Sequence, residues 1–182
     1  MIFCCAFADH YSQPLPDAFD ILGVEPSLDL TAAAVRGAFL ARSAQASDVE
    51  APALNAAKGV LLDAEQRAGL LLARLGGPSA SADRSLPDGF LMAMMQARED
   101  AEAAIASNDA AKIDAFIAWA EAQRDGHIAR LRPLLVAGAS PDALKLARRE
   151  LNAWRYIERM IQQLTDAHDA GPGPSGGPGV GR

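Results

Sequence analysis

Aromatic side chains are scarce: they make up 5% of the 182 residues, although half of the chain is hydrophobic. Any core is therefore built from Ala, Leu, Ile and Val, a composition that favours helices over sheets. Cysteine is nearly absent, and the two present, Cys4 and Cys5, are adjacent. Neighbouring cysteines rarely bridge each other, because the geometry is strained. Without a third Cys or a nearby His cluster they do not form a zinc set, so they read as free thiols of a reducing compartment. An excess of basic charge is lacking as well. The net charge of −6 argues against electrostatic binding to nucleic acid or to anionic lipid. No apolar run approaches the roughly 20 residues needed to span a bilayer. The opening M-I-F-C-C-A-F-A-D-H has no basic n-region, and its apolar run is short for a signal peptide. The expectation is a soluble cytoplasmic protein with neither a nucleic-acid nor a membrane partner.

Constellations that carry catalysis are missing too. His10, His127 and His168 are scattered, and no two stand at i, i+4, so no metal site is expected. Glu99, Asp100 and Glu102 fall on a helix surface with nothing to raise a carboxyl pKa. Ser47, Ser79 and Ser81 sit in polar stretches without a G-x-S-x-G elbow. Gly76-Gly77 is a helix stop, because no Lys-Ser/Thr follows to make a phosphate loop. The sequence therefore points to no cofactor and away from an enzyme.

What is present is helical periodicity. Residues 1–16 are irregular, with Pro14 and Pro16 marking the entry to structure. Asp17 to Leu22 is a short amphipathic stretch ended by Gly23. Thr31 can cap a helix whose stripe is Val35, Phe39 and Leu40. After a polar connection from Ser43 to Ala51, helix resumes near Pro52; Asp63 then offers a cap for a second run, stopped at Gly76-Gly77. The stretch P-S-A-S-A-D-R within residues 77–85 reads as a linker. Three long helical patterns follow over residues 86–167. The second places Ile113, Phe116, Ile117, Ala120, Ile128, Leu131 and Leu135 on one face, with Pro133 kinking its last turn. The third opens at Ser140-Pro141 and repeats Leu144, Ala147, Leu151, Trp154, Ile157, Ile161 and Leu164. Three such helices joined by short turns make an antiparallel bundle. The Gly/Pro-rich tail, residues 168–182, is disordered by composition. The fold class expected is all-α, with a helical unit over residues 17–76 ahead of a three-helix bundle.

The first helix of that bundle carries more than a core stripe. In F-L-M-A-M-M-Q-A-R-E-D-A-E-A-A-I, residues Phe90, Met94, Ala97, Ala101, Ala104 and Ile105 fall on one side. Leu91, Met92 and Met95, continuing into Gln96 and Glu99, fall roughly opposite. A helix at the surface of a domain packs one stripe and solvates the other. A second stripe of Leu and Met is a further packing seam or a docking site, and flexible thioethers suit a surface that accepts a partner.

Two helical units in this order resemble the HscB family of J-domain co-chaperones, which serve iron–sulfur cluster assembly. The resemblance covers about residues 17–166. It rests on D-A-F-D-I-L-G-V from Asp17, on L-N-A-A-K-G-V-L-L-D-A-E-Q-R-A-G-L-L-L-A-R-L-G from Leu54, and on F-L-M-A-M-M-Q-A-R-E-D from Phe90. The last is similar to the family signature FLMExxExRE. Asp63, Arg67 and Ala68 match the family's DPxxRA turn, with Ala64 in place of the proline. The resemblance implies a C-terminal bundle that binds an iron–sulfur scaffold protein of IscU type. Its contact residues carry over to Leu91, Met92, Met95, Gln96 and Glu99, with Tyr156 as the aromatic on the last helix. Ala93, Gln96 and Ala103 stand where the family tends to place acids, which reduces the charge offered to a scaffold.

The helical unit ahead of the bundle departs further. A working J-domain carries His-Pro-Asp after a basic second helix, and these act on a DnaK/HscA-type chaperone. Here the equivalent stretch is Ala46, Ser47, Asp48 and Val49, and no His-Pro-Asp occurs anywhere. The second helix holds only Arg36 and Arg42, and residues 17–76 hold eight acids against five bases. The J-like unit is thus expected to be degenerate, without stimulation of a chaperone ATPase. A homo-oligomer, in which the Leu/Met stripe meets its own copy across a two-fold axis, is the alternative use of the same surface.

Overall fold

The computed structural model describes residues 16–107 and 109–169. Cys4, Cys5, His10 and most of the tail lie outside the described residues. Every regular element described is a helix: α1 (Ala18–Leu22), α2 (Ala32–Ser43), α3 (Ala51–Leu62), α4 (Ala64–Arg74), α5 (Phe90–Ala106), α6 (Ala110–Leu131) and α7 (Pro141–Asp169). The all-α expectation holds, and the start of the expected tail, His168 and Asp169, completes α7. The chain divides into two compact units at Leu70/Leu71, inside α4 and ahead of the Gly76-Gly77 stop.

In the first unit each boundary has a local cause. Asp17 and Asp20 form a capping box at the start of α1, each side chain accepting from the other's backbone N–H. Thr31 Oγ1 accepts from Ala34 N–H at 3.1 Å and starts α2. Asp63 separates α3 from α4 and caps the latter by accepting from the Glu65 and Gln66 N–H groups. The core joins Phe19 and Leu22 of α1, Val35 of α2, and Leu54, Ala57 and Leu61 of α3. Phe39 is half-buried, with the Lys58 ammonium 4.1 Å above its ring. Leu40 is exposed, contrary to the stripe read from the sequence. It lies about 140° around the helix from Val35 at 100° per residue, on the solvent side.

Arg67 is the buried cation of this unit. Its guanidinium donates to the carbonyls of Leu28 (Nε, 3.0 Å) and Leu61 (Nη1). The Leu61 carbonyl belongs to the last turn of α3, where helix carbonyls lack intrahelical partners and a positive charge is favoured. One side chain thus closes α3 and fastens the loop between α1 and α2.

The second unit opens with the end of α4. Gly76, at φ +80°, bends the chain so that Gly76 N–H reaches Ala73 O and Gly77 N–H reaches Leu72 O. That is the paired hydrogen-bond pattern of a left-handed helix cap, which glycine adopts without a Cβ clash. The segment expected as a linker is then laid along α7. Arg148 Nε donates to Pro78 O at 2.8 Å, Arg149 Nε to Ser85 Oγ at 3.2 Å, and Asn152 Nδ2 to the carbonyls of Asp83 and Ser85. Composition showed the polar loop but not the long-range donors that hold it.

The bundle of α5, α6 and α7 packs around Phe90, Met94, Ala97, Ala101, Ala120, Ala153, Ile157, Met160 and Leu164. All the α7 positions read as core are buried or half-buried. Of the second pattern, Ile113, Ala120 and Leu131 on α6 and Leu135 beyond it are buried, while Phe116, Ile117 and Ile128 are half-buried. Helix α6 stops at Leu131 and tightens into a 3-10 turn over Arg132–Leu134, where Pro133 cannot donate an amide. Ile105 is an expectation the structure corrects: it is exposed. It stands at the edge of the α5 stripe, about 60° from the Phe90 direction.

Candidate functional site

Helix α5 begins on Gly89, whose φ of +75° turns the chain so that Phe90 points inward and Leu91 outward. A side chain at that left-handed position costs of order 1 kcal/mol, so glycine suits it. Phe90 is then held by two aromatic edges. The His127 ring of α6 stands 5.5 Å from it and the Tyr156 ring of α7 5.7 Å, both in T-shaped contact. With Phe90, Met94, Ala97, Ala101 and Ala104 buried, the orientation of the opposite face is fixed.

On that opposite face Leu91 is 55% exposed, Met92 74% and Met95 55%. Gln96 and Glu99 are exposed beside them, Gln96 donating to Asp100 Oδ1 at 3.3 Å. Among the described residues Leu91, Met92 and Met95 thus stay more than half open to solvent. Tyr156, 36% exposed, lies against Phe90 and so borders the start of the ridge. The structure therefore brings the six carried-over residues to two adjacent elements, five on α5 and one on α7. Sequence reading passed over three others. Arg98 continues the Leu91–Met95 row one turn further along α5, and Arg159 and Gln163 continue the Tyr156 row along α7. The i+3 and i+7 spacings were the available signal. Arg98 Nε donates to Glu102 at 2.9 Å, and that hydrogen bond holds the guanidinium above its ordinary pKa.

His127 sits under the aromatic clamp. Its Nδ1 lies 2.6 Å from Glu150 Oε2, which also accepts from Arg130 Nε at 2.9 Å, and Arg130 Nη2 lies 2.8 Å from the same ring nitrogen. Burial, aided by the Arg130 charge, holds the imidazole below its ordinary pKa of 6.5, although Glu150 pulls the other way. The folded chain then binds fewer protons than the unfolded one just below pH 6.5. The His127 contribution to stability is therefore complete above about 6.5 and declines as pH falls towards the folded value. Urea midpoints should accordingly drop between about pH 7.5 and 5.5. His127→Gln should flatten that slope, and an unchanged slope would assign it to other groups.

In the first unit the Ala46–Val49 stretch is a surface turn. Ser47 donates through both its N–H and its Oγ to Glu50 Oε2, at 2.9 and 2.8 Å, and accepts from Glu50 N–H. Those bonds hold the Glu50 carboxyl below its usual range. Val49 is 87% exposed, and Arg42 reaches back toward Asp20 O at the end of α1. No imidazole is present at this turn, and Arg36 and Arg42 are the only cations of α2. Among the described residues no His/Cys/Asp/Glu group is arranged to hold a metal ion, and no helix is long and apolar enough to cross a membrane.

No curated protein matches the chain. Residues 86–165 match the HSCB C-terminal oligomerisation domain. Among solved structures, chaperone HscB from Vibrio cholerae is similar over 85% of this chain and 98% of its own, with a TM-score of 0.67 and 22% identity. The chain thus shares the fold of chaperone HscB, and its residues 86–165 are similar to the C-terminal domain of that family.

Proposed function

We propose that the chain is an HscB-like co-chaperone or client adaptor of iron–sulfur cluster assembly. It binds a scaffold protein of IscU type through the α5 ridge and acts without catalysis of its own. One observation carries the reading: three large apolar side chains stay open to solvent on a helix whose other face buries Phe90, Met94, Ala97, Ala101 and Ala104. Burying them against a partner removes apolar surface from water, worth roughly 1.5–3 kcal/mol for a side chain that becomes fully covered, before ordering costs. The resemblance to chaperone HscB and the matched C-terminal domain support the choice of partner class.

Recruitment without activation is the mechanism we assign. The turn that would carry the chaperone trigger holds Ser47 and Asp48 in a Glu50-closed loop, with no imidazole to donate and little positive charge on α2. Single-turnover ATP hydrolysis by a DnaK/HscA-type chaperone should therefore be unchanged by saturating amounts of the chain. Strong stimulation would overturn this part of the reading.

The name of the matched domain favours a second reading, self-association through the same ridge. Sedimentation at rising concentration separates the two. A monomer that shifts on adding scaffold supports docking; a dimer indifferent to scaffold supports a homo-oligomer and removes the adaptor role.

A further inference from the structure

One turn beyond Met95, the groove between α5 and α7 opens into a cleft of about 220 Å³ lined by Arg98, Tyr156, Arg159, Met160 and Gln163. Its polar groups are chiefly donors: two guanidiniums, a phenol and a side-chain amide. Arg159 and Gln163 have no hydrogen-bond or ion-pair partner among the described residues, and both are exposed. Arg98 is engaged by Glu102 through its Nε. Arg159 thus carries a positive charge with no ion pair among the described residues, beside an apolar ridge.

We propose that this cleft receives the carboxylate of an acidic side chain on the partner segment that lies along Leu91 and Met95. The inference rests on the docking reading above and sharpens it, because it specifies the partner's chemistry. A planar guanidinium matches a carboxylate through paired N–H donors, and the Tyr156 hydroxyl and the Gln163 amide can complete its hydrogen bonds. Met160, nearly buried, lines the wall of the cleft and limits competition from water. A single negative charge suits the site better than a polyanion, since Glu102, paired with Arg98, repels dense negative charge. Arg98 lies three residues past Met95, a rise of about 4.5 Å along the helix. The partner segment therefore carries apolar side chains followed within a turn by Asp or Glu.

The test is a titration of the full chain with an IscU-type scaffold protein at low and at high salt. Arg159→Glu should weaken binding by about tenfold or more near 0.1 M salt, and the loss should shrink near 1 M as screening grows. Arg159→Lys should retain most of the affinity, and Leu91→Ala should show a loss that salt does not erase. Replacing the acidic residue of the scaffold's contact segment by Lys should recover binding to Arg159→Glu. Unchanged or tighter binding by Arg159→Glu, with the Leu91→Ala loss intact, overturns the acidic-contact inference and leaves ridge docking standing. Absence of binding by the unsubstituted chain overturns both.

Discussion

Replacing Leu91 and Met92 together by alanine is expected to weaken capture of an IscU-type scaffold by about a hundredfold, roughly 2.7 kcal/mol. The magnitude follows from exposure. Both side chains stand more than half open in the free chain, so a partner can still remove much of their apolar surface from water. Truncation to Ala forfeits most of that gain, about 1–2 kcal/mol at each position. Thermal unfolding should barely move, because neither residue belongs to the buried cluster of the bundle and Ala is the better helix former. Calorimetric titration and a melting curve on the same preparation read the two quantities separately. A fall of several degrees in Tm would place these residues in the fold's own packing, contrary to the docking reading. Retained affinity with an unchanged Tm would move the contact to another surface.

The second large effect concerns Arg67. Arg67→Met keeps the length and apolar stem of the side chain but removes its donors, leaving the Leu28 and Leu61 carbonyls buried without the guanidinium. A buried acceptor left unsatisfied costs about 1–3 kcal/mol, so the expected loss is roughly 2–5 kcal/mol. It should appear in the first unit alone. Amide hydrogen exchange is the suitable measurement, since it resolves opening residue by residue in a chain with two compact units. Faster exchange is expected through α3 and in the loop around Leu28, with α6 and α7 unchanged. Arg67→Lys should lie between, because an ammonium cannot span both carbonyls with a fixed fork. A loss below about 1 kcal/mol would show that water takes the guanidinium's place.

The two sites differ in how far they could be read in advance. The α5 ridge was legible because helical spacing alone sorts Phe90, Met94 and Ala97 from Leu91, Met92 and Met95. Spacing left that second face as a packing seam or a docking site, and the fold leaves it open to solvent. Tyr156 required the family resemblance, since nothing in its own helix separates it from an ordinary surface aromatic. Arg98, Arg159 and Gln163 were not found, because the cleft they line is made by two helices far apart in sequence. Arg67 belongs to a turn motif in the sequence, but the carbonyls it closes are fixed only once α3 and the α1–α2 loop have folded onto α4.

Local physics thus determined the helices, their caps and stops, and the second apolar stripe of α5, because periodicity, capping side chains and glycine conformation act within a few residues. Tertiary structure decided which edges of those stripes stay wet, as at Leu40 and Ile105, and that residues 78–85 lie along α7. It also set the aromatic clamp on Phe90 and the donor cleft beyond Met95. Each of these depends on the distance between side chains from separate helices, which no spacing along one chain segment encodes.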